Sequence, residues 1–94
     1  MDEREYIITL YEYYGKLLTL KQQNYFEDYY FDNLTMEEIA ENDSISKNAV
    51  SKQLISIKNK LNYYEKTLNL YKNKVKIHDI LKDTDYIDKI EKYI

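Results

Sequence analysis

Ile7, Leu10, Tyr11 and Tyr14 fall at i, i+3, i+4 and i+7, which is one face of an α-helix. The spacing predicts a helix over residues 2 to 14, closed by Gly15 as a left-handed cap. Thr19 followed by Gln22 forms a capping box and opens a second helix over 20 to 31, with Leu20, Phe26, Tyr29 and Tyr30 on one side. Asp32 and Asn33 punctuate the chain. Thr35 with Glu38 repeats the capping box and starts a short helix, 36 to 42, that turns Met36, Ile39 and Ala40 inward. A tight connection through Asn42, Asp43, Ser44 and Ile45 leads to Ser46, a good N-cap, and a fourth helix begins near Lys47. From there Val50, Leu54, Ile57, Leu61, Tyr64, Leu68, Tyr71 and Val75 keep a four-then-three spacing, the stripe of a long helix packed along another helix. This helix is expected to run, straight or kinked near residues 67 to 70, to about 82. Asp83, Thr84 and Asp85 then cap a short final helix carrying Tyr86, Ile87, Ile90 and Ile94.

Composition sharpens this picture in three ways. The chain has no proline and one glycine, so helix breakers are almost absent and the fold class is all-α. Its 94 residues, 44% hydrophobic and 33% charged, form a single helical domain over 1–94. A core this small leaves little margin, and the stripe over residues 50 to 75 is longer than residues 1 to 43 can cover, so a homodimer is expected. Tyr, Lys, Ile and Asn are abundant while Pro, Gly, Ala and Arg are scarce, which is the mark of A/T-rich codons more than of a special role for tyrosine. There is no cysteine and one histidine, His78, which excludes disulfides, a thiol nucleophile and Cys- or His-rich metal centres. No metal or cofactor is expected. The first residues, Met1 to Glu5, show neither signal peptide nor membrane span, so the chain is expected in the cytoplasm.

Charge is sorted along the chain, although the formal net value is only -3. Residues 1 to 43 hold 11 acids and 3 bases, residues 44 to 77 hold 8 lysines and 1 glutamate, and residues 78 to 94 hold 3 lysines and 5 acids. The acid-free run before Glu65 suits a phosphate-facing surface; alternatively its lysines neutralise the acidic N-terminal half. A short helix, a tight turn and a second helix with a basic first turn form a helix-turn-helix arrangement over about residues 18 to 60, whose second helix enters a DNA major groove. Lys47, Asn48, Ser51 and Lys52 lie away from Val50 and Leu54, and Lys58 continues the basic run. Asn48 can bridge an adenine edge, Ser51 can meet a base or a phosphate, and Lys47, Lys52 and Lys58 can meet phosphates.

The order Leu18, Thr19, Leu20, Lys21, Gln22, then Tyr29, Tyr30, then Leu34 to Glu41, then Ile45 to Val50, resembles the region-four module of bacterial sigma factors. With Tyr13, Tyr14, Gly15 and Leu17 leading in and Leu61, Tyr64, Glu65 and Leu68 leading out, residues 11 to 70 look still more like the YlxM-type helix-turn-helix family of low-GC Gram-positive bacteria and mycoplasmas. That family is linked by gene neighbourhood to the signal recognition particle. The resemblance implies a nucleic-acid-binding regulatory protein of that pathway, acting on DNA or on the particle's RNA or protein. Three positions depart from the pattern. Ser44 replaces the corner glycine and Asp43 the apolar residue before it, so the corner must adopt a strained or left-handed geometry. Lys47 replaces an arginine, leaving a point charge in place of a bidentate guanine fork.

A reading from another class is a helical protein-protein adaptor, in which the stripe and the acidic half dock a protein and the helix-turn-helix is scaffold. An enzyme is the weakest reading. Glu27 with Asp28, and Glu37 with Glu38, are adjacent pairs that point about 100° apart on a helix, and no nucleophile accompanies them. His78 reads as an ordinary helix-face residue.

Overall fold

A computed structural model describes residues Met1–Ile94, and every regular element in it is helical. Helix α1 spans Glu3–Tyr14, α2 Leu20–Tyr30, α3 Met36–Asp43, α4 Lys47–Leu68, α5 Leu70–Leu81 and α6 Tyr86–Ile90, with 3-10 turns at Gly15–Leu17 and Glu91–Tyr93. Both capping boxes are present: the Thr19 hydroxyl accepts the Gln22 N–H at 3.1 Å, and the Thr35 hydroxyl accepts the Glu38 N–H at 3.1 Å. Ser46 caps α4 by accepting the Ala49 N–H at 3.0 Å.

Helix α4 is the spine. Its Val50, Leu54, Ile57 and Leu61 are buried against Ile7, Leu10 and Tyr14 of α1, Tyr25 and Phe26 of α2, and Ile39 and Ala40 of α3. The Tyr11 ring stacks on Phe26 with centroids 4.0 Å apart, and Phe26 stacks in turn on Tyr30 at 4.4 Å. Arg4 donates to the Tyr30 carbonyl at 2.7 Å, closing the C-terminus of α2 from the first turn of α1.

Several expectations from the sequence need correction. Gly15 is not a left-handed cap: its φ is -55°, and the reason for glycine is space, since a Cβ there would lie 2.8 Å from the Tyr11 ring. Leu20 faces solvent with 79% of its surface exposed, because as the first residue of α2 it precedes the turns that pack. Asp85 is helical, with ψ -12°, and makes no side-chain cap to α6. Of the two courses expected for the fourth helix, straight or kinked near residues 67 to 70, the structure has the second: the stripe is carried by two helices that meet at Asn69.

The break is at Asn69, with φ 56° and ψ 29°. It lets the chain turn so that Tyr71 packs edge-on against Tyr6 at 6.0 Å and near Tyr13 at 6.1 Å, both on α1. The N-terminal half therefore covers more of the apolar stripe than a straight helix would allow. Three N–H groups at the start of α5 need partners, and the Asn69 side chain supplies none. Instead the Tyr14 hydroxyl accepts the Leu70 N–H at 3.1 Å, and the buried Glu65 carboxylate accepts the Tyr71 and Lys72 N–H groups at 3.2 and 3.0 Å. Tyr14 also donates to Glu65 at 2.6 Å. Burial and the Glu65 carboxylate push the Tyr14 hydroxyl up to about 12. A negative charge at this helix N-terminus is favourably placed against the helix dipole.

Beyond Glu65 no residue is buried. Helices α5 and α6 form an arm that stretches the molecule to 53 × 24 × 22 Å. The radius of gyration is 16.3 Å, against about 12 Å for a compact chain of this length. No helix is long and apolar enough to cross a membrane.

Candidate nucleic-acid interface

The corner between α3 and α4 is made by Ser44, which takes the left-handed conformation, φ 56° and ψ 41°. The Ile45 N–H reaches back to the Ala40 carbonyl at 3.0 Å and the Ser44 N–H to that of Glu41 at 3.3 Å, the reach-back that closes a helix end of this kind. Ile45 then packs against the core, which fixes the angle at which α4 leaves. The corner that the sequence requires without its usual glycine is thus built on a strained serine.

On α4 the positions opposite the core stripe are Asn48, Lys52, Ile55, Asn59 and Tyr63, at helical spacing. Asn48 and Lys52 are exposed and Ser51 is half-buried at the edge of this face, so three of the five expected contact residues share one surface. The other two lie on the flank. Lys47 Nζ is 2.8 Å from Glu37 Oε1, and Lys58 Nζ is 2.6 Å from Glu3 Oε1. The hydrogen bond to the lysine, and then its charge, hold the Glu3 and Glu37 carboxyls below the usual carboxylate range, with Glu37 also helped by its own backbone N–H, and both lysines are pushed up. Both pairs are solvent-exposed, so salt screens them and a stronger anion can compete for either lysine.

Two consequences follow for a polyanion. The neutralisation foreseen for the basic run does occur, at Lys47 and Lys58, while Lys52 has no carboxylate within ion-pairing distance. Helix α3, the element that would cross a duplex backbone, exposes Glu37, Glu38, Glu41 and Asp43. Lys60 differs from its neighbours: its Nζ donates to the neutral Gln22 Oε1 at 3.0 Å, so it is held in place with its charge uncompensated. Lys60 belongs to the basic run that the sequence marks as phosphate-facing, whereas Ile55, Asn59 and Tyr63 were missed from sequence. The available signal was their phase, half a turn from Val50, Leu54, Ile57 and Leu61, continued past the first two turns of the helix.

Comparison with known proteins agrees with this architecture. A family described as "Putative helix-turn-helix protein, YlxM / p13 like" matches residues 1–93. The chain is similar to a UPF0122 protein of Ureaplasma parvum, 38% identical over 96% of this chain and 94% of the relative. It is similar to one of Clostridium kluyveri, 36% identical over 100% of this chain and 96% of the relative. A UPF0122 protein of Lactococcus lactis is 41% identical over 80% of this chain and 68% of the relative. With its left-handed corner, its capped second helix and its buried stripe all in place, the chain belongs to the UPF0122, YlxM / p13-like helix-turn-helix family.

Proposed function

We propose that this chain is a non-enzymatic, nucleic-acid-binding regulatory protein whose contact surface is the outward face of α4. The observation that carries the reading is the run of Asn48, Lys52, Asn59 and Lys60 on a helix with no acid before Glu65, in which neither Lys52 nor Lys60 is paired with a carboxylate. Lys52 supplies affinity, Asn48 and Ser51 supply what base discrimination there is, and Lys47 and Lys58 join only when a phosphate displaces Glu37 or Glu3. The resemblance to YlxM-type proteins adds a setting, the cytoplasmic signal recognition particle pathway, with the particle's RNA or protein as alternatives to DNA. A homodimer formed through the arm, where Leu70, Val75 and Ile80 are exposed, completes the proposal.

The test is a salt titration with fluorescent duplex DNA. The slope of log affinity against log salt falls by about 0.9 for each phosphate contact removed, so Lys52→Ala lowers it by about that much on every sequence. Asn48→Ala flattens preference among duplexes instead. Affinity that ignores salt, or no binding of either a duplex or a single strand at low salt, overturns the reading. Sedimentation tests the dimer, which Val75→Glu with Ile80→Glu should convert to monomer.

The adaptor reading has an observation of its own. Helix α3 presents four carboxylates beside the helix-turn-helix corner, a surface that repels phosphate and attracts a basic protein. It predicts that Glu38→Gln with Glu41→Gln weakens protein capture and leaves nucleic acid unaffected.

A further inference from the structure

Nine of the 12 tyrosines lie in the core or pack against it. Of the remaining three, Tyr86 and Tyr93 carry the ammonium groups of Lys89 and Lys92 over their rings at 5.9 and 5.1 Å. Tyr63 is different. It is 65% exposed, no cation covers it, and its one aromatic neighbour, Tyr64, meets it at 6.1 Å and 63°. A single edge-on partner can occupy at most one face of a ring, so at least one face of Tyr63 is open.

That ring and its neighbour Tyr64 close one end of a shallow groove along α4, whose other walls are Lys52, Ile55, Ser56, Asn59 and Lys60. The groove contains no carboxylate. Lys60 is anchored at its rim by Gln22, whose Oε1 also accepts the Thr19 N–H of the α2 capping box, so the ammonium is positioned by the fold and not by an ion pair. Lys52 stands at the far end, 11 residues and about 16 Å of helix from Tyr63. Ile55 offers an apolar floor and Asn59 an amide with both donor and acceptor.

We propose that this groove seats an unpaired nucleobase of a single-stranded or looped nucleic acid. Tyr63 is the stacking platform, Lys52 and Lys60 contact the flanking phosphates, and Asn59 meets the base edge. The inference rests on the nucleic-acid reading of α4 and specifies which form of nucleic acid the face takes. Bases in a duplex are already stacked on their neighbours and cannot offer a face to a protruding phenol ring; an unpaired base can. The carboxylates of α3 beside the start of α4 act in the same direction, because a duplex lying across both helices of the corner meets them and a flexible strand following α4 does not.

The experiment is fluorescence anisotropy with the full chain, using a labelled single-stranded oligothymidine of about 20 nucleotides and a mixed-sequence duplex of the same length. Tyr63→Ala should weaken the single strand about 5- to 150-fold, the range that base-aromatic stacking supplies, and leave the duplex unchanged. Tyr63→Phe should retain affinity, since stacking needs the ring and not the hydroxyl. Lys60→Ala should reduce the single-strand salt slope by about 0.7, whereas Tyr63→Ala should leave it alone. The seat is refuted if Tyr63→Ala weakens strand and duplex equally or weakens neither. In those cases the α4 interface still stands, whereas wild-type protein that binds neither probe at low salt removes both. Because Tyr63 is exposed, unchanged circular dichroism of the variants separates lost contact from lost fold.

Discussion

Replacing Glu65 by alanine removes the acceptor for three hydrogen bonds at once: the Tyr14 hydroxyl at 2.6 Å and the Tyr71 and Lys72 N–H groups at 3.2 and 3.0 Å. Hydrogen bonds to a charged group contribute about 1.5–3 kcal/mol each, but water can partly replace the carboxylate at the two N–H groups, which are less buried than Tyr14. Taking one full loss and two partial ones gives about 3–5 kcal/mol. That is a large part of the roughly 5–15 kcal/mol that stabilises a domain of this kind. At about 4–8 °C per kcal/mol, the melting temperature should fall by at least about 12 °C in thermal unfolding followed by circular dichroism. Glu65→Gln keeps one carbonyl acceptor and should lose about half as much. The double-mutant cycle with Tyr14→Phe should show a coupling of about 1 kcal/mol or more, since the two groups share a bond and jointly cap α5. A loss below about 0.5 kcal/mol, or strict additivity in the cycle, would refute the idea that this carboxylate holds the elbow together.

Ser44→Gly relieves the left-handed strain at φ 56°, less the extra freedom that glycine has in the unfolded chain, and should stabilise the protein by about 0.5–1 kcal/mol in urea unfolding. The raised Tyr14 hydroxyl fixes the sign of an alkaline effect: the unfolded chain loses that proton near pH 10 and the folded one only near 12, so stability is full below pH 10 and falls between 10 and 12. Tyr14→Phe should shift the midpoint of alkaline unfolding upward relative to its own stability at pH 8. Burial likewise raises Tyr11, which also donates to Glu27 at 2.8 Å, and steepens the same transition. Glu37→Gln frees Lys47 from its ion pair, and should raise nucleic-acid affinity and add about 0.9 to the salt slope, measured by anisotropy.

The elements most readable in the sequence are those with a local chemical signature. Thr19 with Gln22, Thr35 with Glu38, and Ser46 each announce a helix start through a bond made within four residues, and the structure has all three. The stripe through Val50, Leu54, Ile57 and Leu61 marks the core because burial imposes helical periodicity on it. What escaped depends on partners distant in sequence. Tyr14 and Glu65 are 51 residues apart, and without knowing that they meet, the sequence leaves a straight helix and one kinked near residues 67 to 70 equally open. Gly15 was misread for the same reason, as its need for a small residue arises from the position of the Tyr11 ring and not from its own φ. At the interface, the residue types at Lys47 and Lys58 suggested phosphate, while their occupancy by Glu37 and Glu3 is decided by how α1 and α3 pack on α4.

The Tyr14–Glu65 cluster also sets how the molecule comes apart. Since nothing beyond Glu65 is buried, the arm can detach at a free energy well below that of global unfolding, and its distal amides should exchange with deuterium fastest. The first turn of α5 is an exception, because its amide protons are held by groups belonging to α1 and α4. Those amides should exchange in step with the last turn of α1, as one cooperative unit, and not with the helix to which they belong. The boundary of that unit therefore lies inside α5, and a partner gripping the arm beyond it would leave the four-helix body undisturbed.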